Sequence, residues 1–154
     1  MDIIKGNVFS GTGELILNPC NCETTLYWGT HVSGHIFWHA GKVVQKQRKA
    51  AGYLQYGEFC LTDGGKLSHR KILHVAVHKA WTLDMRYLVF LRKRIEHGAL
   101  AQALDGINLF MSNSNYRLID SPKFWGGTNG WSDKEFDLAF GNHPALSKMV
   151  IYSK

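Results

Sequence analysis

The sequence predicts a single three-layer α/β/α domain with a mixed, mostly parallel central sheet, and three observations carry that expectation. Short apolar runs alternate with stretches of helical periodicity along the whole chain, the order that builds a parallel sheet covered by helices. The run Glu14–Leu17 lacks inward–outward alternation, as a strand buried on both faces does. Two glycine-bearing loops each connect a strand end to a helix start, the place where open α/β sheets hold their ligands.

In chain order, Asp2–Lys5 is a short strand candidate punctuated by Gly6-Asn7. Glu14–Leu17 is the second strand, with Gly11 and Gly13 before it and Asn18-Pro19 after. Val32, Ile36 and Phe37 fall at helical spacing with Gly41 as the stop. Val43, Val44, Gln47 and Ala51 carry a second helix toward Gly52, apolar on one face and basic on the other. Gly57–Thr62 reads as a strand, joined by the turn Asp63-Gly64-Gly65-Lys66 to the strand Lys71–Val77. Asp84 is a candidate cap for a helix whose face is Leu88, Leu91 and Ile95, and Gly98 interrupts it. A further helical pattern through Leu100, Ala103, Leu104, Ile107 and Met111 ends at Asn113–Asn115. Leu118 and Ile119 begin another buried strand, which leads into the second loop, Ser121–Trp131. Ser132 and Glu135 form a capping box for the last helix, Gly141 stops it, and Met149–Tyr152 is a terminal strand.

With 154 residues the chain is long enough for one domain, spanning 1–154, to bury an ordinary core. Its apolar runs fall far short of the roughly 18 residues needed to cross a bilayer, and no secretory signal opens it. Three cysteines cannot all pair within one chain, and Cys20 and Cys22 stand too close for an easy bridge. A reducing cytoplasm is the expected compartment, with a monomer the expected state and no membrane partner. The net charge of +6 admits nucleic acid or phosphate-bearing partners. The basic clusters Lys42–Lys49 and Arg92–Arg94 read first as solvated helix faces.

Facing glycine loops can clamp a diphosphate with backbone donors and helix termini. Tyr27, Trp28, Trp125 and Trp131 offer flat surfaces for an adenine or a ribose edge, with some of them expected in core or rim packing. His31, His35 and His39 share a helix face, and His74 and His78 a strand face. A zinc site is the sharp reading of this pattern. A face of neutral histidines needs no metal and is the preferred reading, since no carboxylate or cysteine lies nearby in sequence to complete a ligand set. Neither metal nor cofactor is therefore expected. Cys20 and Cys22 read as small buried fillers rather than exposed thiolates. His78 suits a base or proton donor near neutral pH, and Lys79 a phosphate contact. Among the acids of the two loop regions, Glu23 and Asp120, the latter is the stronger candidate to orient water, because it ends a buried strand beside the late loop.

The order of these pieces resembles the macro domain family. The resemblance rests on Lys5-Gly6-Asn7-Val8, the strand end Asn18-Pro19-Cys20-Asn21, the following Gly-bearing loop, the helix end Ala40-Gly41, and the strand opening Gly57-Glu58-Phe59. The strand Ile72–Val77 and the late loop from Pro122 through Gly126-Gly127 to Gly130 complete it, so that it spans essentially the whole chain. It implies binding of ADP-ribose or a related nucleotide diphosphate, with an ADP-ribosylated macromolecule as partner. It also admits hydrolysis of an ADP-ribosyl or ADP-ribose 1''-phosphate linkage. The Lys5-Gly6-Asn7 opening, Cys20-Asn21-Cys22 and Trp28-Gly29 look most like the phosphatase-type branch; His78-Lys79 and Pro122-Lys123 look more like the terminal ADP-ribose protein glycohydrolase branch.

Position by position, the resemblance puts Asn7, beside Val8, where many members have an aspartate that accepts from the adenine amino group. Asn21, with Asn18 before it, matches the asparagine that contacts the distal ribose. Trp28-Gly29-Thr30-His31, followed by Val32, replaces a glycine run that lets backbone N–H groups approach the phosphates, and each added Cβ makes that approach harder. Ser33 stands where one hydrolytic branch has a water-activating aspartate. In the late loop Gly127 and Gly130 match diphosphate-cradling glycines, with Gly126, Thr128 and Trp131 beside them, and Trp125 replaces a glycine. Asn129 stands where the glycohydrolase branch has a catalytic aspartate, and His78 on its lysine nucleophile. Candidate catalytic residues are thus His78, Asp120 and Asn129, and binding ranks above catalysis because Ser33 and Asn129 remove the acids of two known mechanisms. The alternative is a macro-fold module with an altered pocket that acts as a basic surface for nucleic acid or protein.

Overall fold

A computed structural model describes residues 1–23, 32–67, 69–78, 89–125 and 130–154, with the backbone alone at 78 and 89–97. The strands are β1 (Ile3–Lys5), β2 (Leu15–Asn21), β3 (Phe59–Asp63), β4 (Lys71–His78), β5 (Ile119–Pro122) and β6 (Met149–Ser153). The helices are α1 (Val32–Ala40), α2 (Lys42–Ala50), α3 (Val89–Asn113) and α4 (Asp133–Gly141). Short 3-10 turns occupy Val8–Ser10, Gly65–Leu67 and Pro144–Lys148. One sheet runs in the order β1-β6-β5-β2-β4-β3, parallel throughout except for β3 against β4. This is the mixed, mostly parallel architecture expected from the sequence.

The strand Glu14–Leu17 shows why alternation is missing there. Leu15 and Leu17 enter the core that includes Leu100, Leu104, Ile107 and Met111 of α3 and Phe136 of α4. Ile16, on the other face, joins Ile36, Ala40 and Val44 of α1 and α2. All three strand residues are fully buried, so both faces demand apolar side chains. The strand is also longer than its apolar run, continuing through Pro19 to Asn21. β5 pairs with β2 only at Leu15 and Ile16. By Pro19 the strand is therefore paired on one side, where a residue without an N–H is tolerated.

Three further expectations change. α3 is continuous through Gly98, which is exposed and has open space around it. A solvent-facing glycine costs only about 1 kcal/mol in a helix, less than the buried face through Leu100–Met111 returns. Gly141 lies inside α4, and Asn142 is its C-cap, while the Ser132–Glu135 capping box at the other end forms as expected. Arg48 does not belong to a solvated face: it is completely buried. Asp84 lies outside the described residues.

Candidate functional site

A cavity of about 540 Å³ opens at the carboxyl ends of β5 and β6. The turn after β1 forms one wall with Asn7, Val8 and Phe9, and the first turn of α1 contributes Val32 and His35. Pro122, Lys123 and Phe124 follow β5, and Tyr152 to Lys154 close the far side. The apolar lining of the cavity includes Val8, Phe9, Val32 and Tyr152, which pack in one cluster. The amino terminus of α1 borders the same cavity through Val32 and His35, and helix amino termini carry partial positive charge. Asn7 caps the 3-10 turn, its Oδ1 accepting from Phe9 N at 3.0 Å. The amide nitrogen and the second lone pair of Asn7 remain available for a ligand. Lys123 is steadied by Asp133, Nζ to Oδ1 at 2.7 Å. The same aspartate accepts from Trp125 Nε1 at 2.8 Å. Hydrogen bonds from Lys123 and Trp125 hold the Asp133 carboxyl below its usual range.

Asn7, Val8 and Val32 line the cavity, whereas Asn18 and Ser33 do not. These two belong to a buried chain of hydrogen bonds. Ser33 Oγ donates to Asn18 Oδ1 at 2.9 Å, and Asn18 Nδ2 donates to His74 Nδ1 at 2.9 Å. An amide nitrogen only donates, so Nδ1 accepts and the ring proton sits on Nε2, directed at Thr62 Oγ1, 2.9 Å away. Burial, with Arg48 adding a positive charge nearby, pushes the His74 pKa down to about 3. His74 is therefore a neutral structural residue, and the chain ties α1 to β2, β4 and β3.

Beyond β2, Arg48 holds the entrance of the first loop from beneath. Its Nη2 donates to Glu23 O at 2.7 Å and reaches Asn21 O and Cys22 O at 3.4 Å, while Nη1 donates to Gly52 O at 2.7 Å. Asn21 is nearly buried, and its Oδ1 accepts from Glu23 N at 3.0 Å. Asn21 is fixed at the loop entrance rather than on the described cavity wall. Cys20 and Cys22 are buried, and burial raises the Cys20 pKa to about 12, as fits fillers rather than thiolates.

Asp120 is not a cleft residue. It is fully buried, ion-paired with Arg70 and hydrogen-bonded by Gly13 N at 2.7 Å. The reason is the strand itself: Asp120 lies within β5 opposite Ile16 and Val150, and its side chain turns under the Gly11–Gly13 loop instead of toward the strand end. No carboxylate lines the cavity among the described residues. Trp125 is likewise core, stacked on Phe136 at 3.7 Å. Trp131 packs against that cluster and donates its backbone N–H to Trp125 O at 3.0 Å. Gly130 is exposed with φ +80°, a conformation glycine adopts without strain.

His78 ends β4, beside Asn21 in the sheet register. Tyr27, Trp28, Gly29, His31, Lys79, Gly126, Gly127, Thr128 and Asn129 lie outside the described residues. Of the histidine face, His35 lines the cavity and His39 stacks on Phe9 at 4.1 Å. Among the described residues no three potential ligands come together for a metal. Sequence reasoning missed Phe9, Lys123, Phe124 and Tyr152 as cavity residues and Arg48 and Arg70 as buried supports. The one usable signal was position, since Phe9 follows Val8 and Tyr152 ends a parallel strand.

A family model described as Macro domain matches residues 17–135. No curated protein matches, but solved structures do. A variant of the Oceanobacillus iheyensis macrodomain with ADPR superposes with a TM-score of 0.69 at 19% identity, covering 97% of this chain and 82% of that one. The macrodomain of Mycobacterium tuberculosis DarG gives a TM-score of 0.70 at 17% identity over 99% of this chain and 96% of that one. The Trypanosoma brucei macrodomain in complex with ADP-ribose gives 0.70 at 21% identity, covering 97% of this chain and 61% of that one.

Proposed function

The chain belongs to the macro domain family, and on that premise we propose that it binds ADP-ribose, free or carried on a macromolecule, in the cavity between the turn after β1 and the segment after β5. The observation that carries this reading is the cavity of about 540 Å³ that brings apolar side chains, Asn7 and the start of α1 together. An apolar slot between Val8, Phe9 and Tyr152 suits a purine, with Asn7 at its edge. The amino terminus of α1 suits a diphosphate. Asn21, at the loop entrance beyond the described cavity wall, is assigned the distal ribose on the family resemblance. Cytoplasmic localisation belongs to the same proposal.

Binding is a better reading than hydrolysis. The buried Asp120 is committed to Arg70, Ser33 is committed to Asn18, and no acid lines the described cavity. Titration calorimetry with ADP-ribose tests the proposal. Saturable binding, weakened at least tenfold in Asn21→Ala, is the expected result. Absence of heat at high micromolar ligand would sink it, and salt-sensitive retention on oligonucleotides without competition by ADP-ribose would favour the basic-surface alternative.

A further inference from the structure

The Arg70–Asp120 pair has no place in the binding scheme so far, yet its contacts converge on the apolar lining of the cavity. Arg70 and Asp120 are buried in a region of loops and strand ends rather than on the protein surface. The guanidinium donates from Nε to Gly13 O at 2.8 Å and from Nη1 to Phe9 O at 3.3 Å. Its Nη2 pairs with Asp120, whose carboxylate also accepts from Gly13 N. The segment from Phe9 to Gly13 is thus gripped at both ends by one ion pair, and Val8 and Phe9 immediately before the grip are cavity wall.

Two other features point the same way. A Cβ at either Gly11 or Gly13 would collide with the Asp120 carboxyl group, so the loop is moulded around this side chain. Asp120 Oδ1 is buried without a hydrogen-bond partner among the described residues. On the strand paired with β5, Tyr152 stands two residues beyond Val150, the register partner of Asp120, and its pKa is raised by burial and by the charge of Asp120. Tyr152 is also the opposite wall of the slot. One wall is therefore tied to the ion pair through Phe9 and Gly13, and the other stands on the strand beside its carboxylate.

We propose that Arg70 and Asp120 are positioning residues for the base end of the cleft, setting the separation of the Val8–Phe9 wall from the Tyr152 wall and thereby the fit of the purine. Neither touches the ligand. They act through the Phe9 and Gly13 backbone and through the charge that Asp120 places beside Tyr152. The inference rests on the reading of the cavity as an ADP-ribose site, and it assigns to the ion pair the half of the ligand that carries the base.

The test compares fragments of the ligand. Wild-type chain and the variants Asp120→Asn and Tyr152→Phe are titrated with ADP-ribose, with AMP for the base end and with ribose 5-phosphate for the distal end, and folding is checked by circular dichroism. We expect Asp120→Asn to lose about tenfold or more in affinity for ADP-ribose and AMP while ribose 5-phosphate changes less than twofold. Tyr152→Phe, which keeps the ring and the ion pair, is expected to lose about threefold on ADP-ribose and AMP with ribose 5-phosphate unchanged. A loss of folded protein lowers all three affinities together, so the AMP to ribose 5-phosphate ratio reads positioning apart from stability. If Asp120→Asn does not fold, Tyr152→Phe decides. An unchanged ratio in the folded variants overturns the inference and leaves ADP-ribose binding standing. Failure of the wild-type chain to bind ADP-ribose overturns both.

Discussion

His74 sits inside the sheet with both ring nitrogens occupied, by Asn18 on one side and Thr62 on the other. A proton added to Nδ1 would face the Asn18 amide, itself a donor, in a buried site near Arg48. The folded pKa of about 3 lies below the ordinary 6.5, so between these values the unfolded chain binds a proton that the folded chain refuses. Stability is full above about pH 6.5 and is lost as pH falls toward 3, by on the order of 3 kcal/mol at pH 4.5. Urea unfolding across this range checks it. His74→Gln, which keeps two polar groups but does not titrate, is expected to be less stable at pH 7 and to show a shallower pH slope; equal slopes in both proteins would refute the assignment. At this scale the sequence was a poor guide. His74 and His78 share a strand face and so invited a zinc reading, and only the placement of Asn18 and Thr62 on neighbouring strands shows what His74 does.

At the scale of elements, pattern and structure agree wherever burial is regular. The Ser132–Glu135 box and the two-sided burial of β2 were legible because each depends on residues adjacent in the chain. Gly98 misled because a glycine in a helical pattern reads as a break when its surroundings are unknown. In α3 it is exposed with nothing near it, so Gly98→Ala is expected to stabilise the protein by up to about 1 kcal/mol, raising Tm by roughly 2–4 °C. A fall in Tm in a thermal melt would contradict the open surroundings. Gly106, on the same helix, is the opposite case. A Cβ there would strike the carbonyl of Gly57, which itself has φ +79°, so helix and loop approach each other through two glycines far apart in sequence. Nothing in the local pattern of either marks that contact.

At the scale of the whole molecule, two buried arginines join distant segments behind the cleft. Arg70 links the loop after β1 to β5, and Arg48 links α2 to the end of β2. Arg48 satisfies carbonyls at Glu23 and Gly52 with a planar fork that lysine does not reproduce. Arg48→Lys is expected to cost about 2–4 kcal/mol of stability and to weaken ADP-ribose binding through Asn21; denaturant melts and calorimetry read the two effects. Unchanged stability would mean that the loop entrance does not depend on this side chain. The sequence by itself determined the order of strands and helices, their amphipathic faces and the family, because these follow from local periodicity and from motifs whose residues stand together in the chain. Only the tertiary structure decided which polar residues face the cavity and which lie behind it. Asn18, Ser33 and Asp120 read as site residues from their positions near strand ends and loops, but their partners, His74 and Arg70, come from another strand and another loop. Whether a polar side chain meets ligand or protein is set by the charge and hydrogen-bonding capacity that folding brings against it.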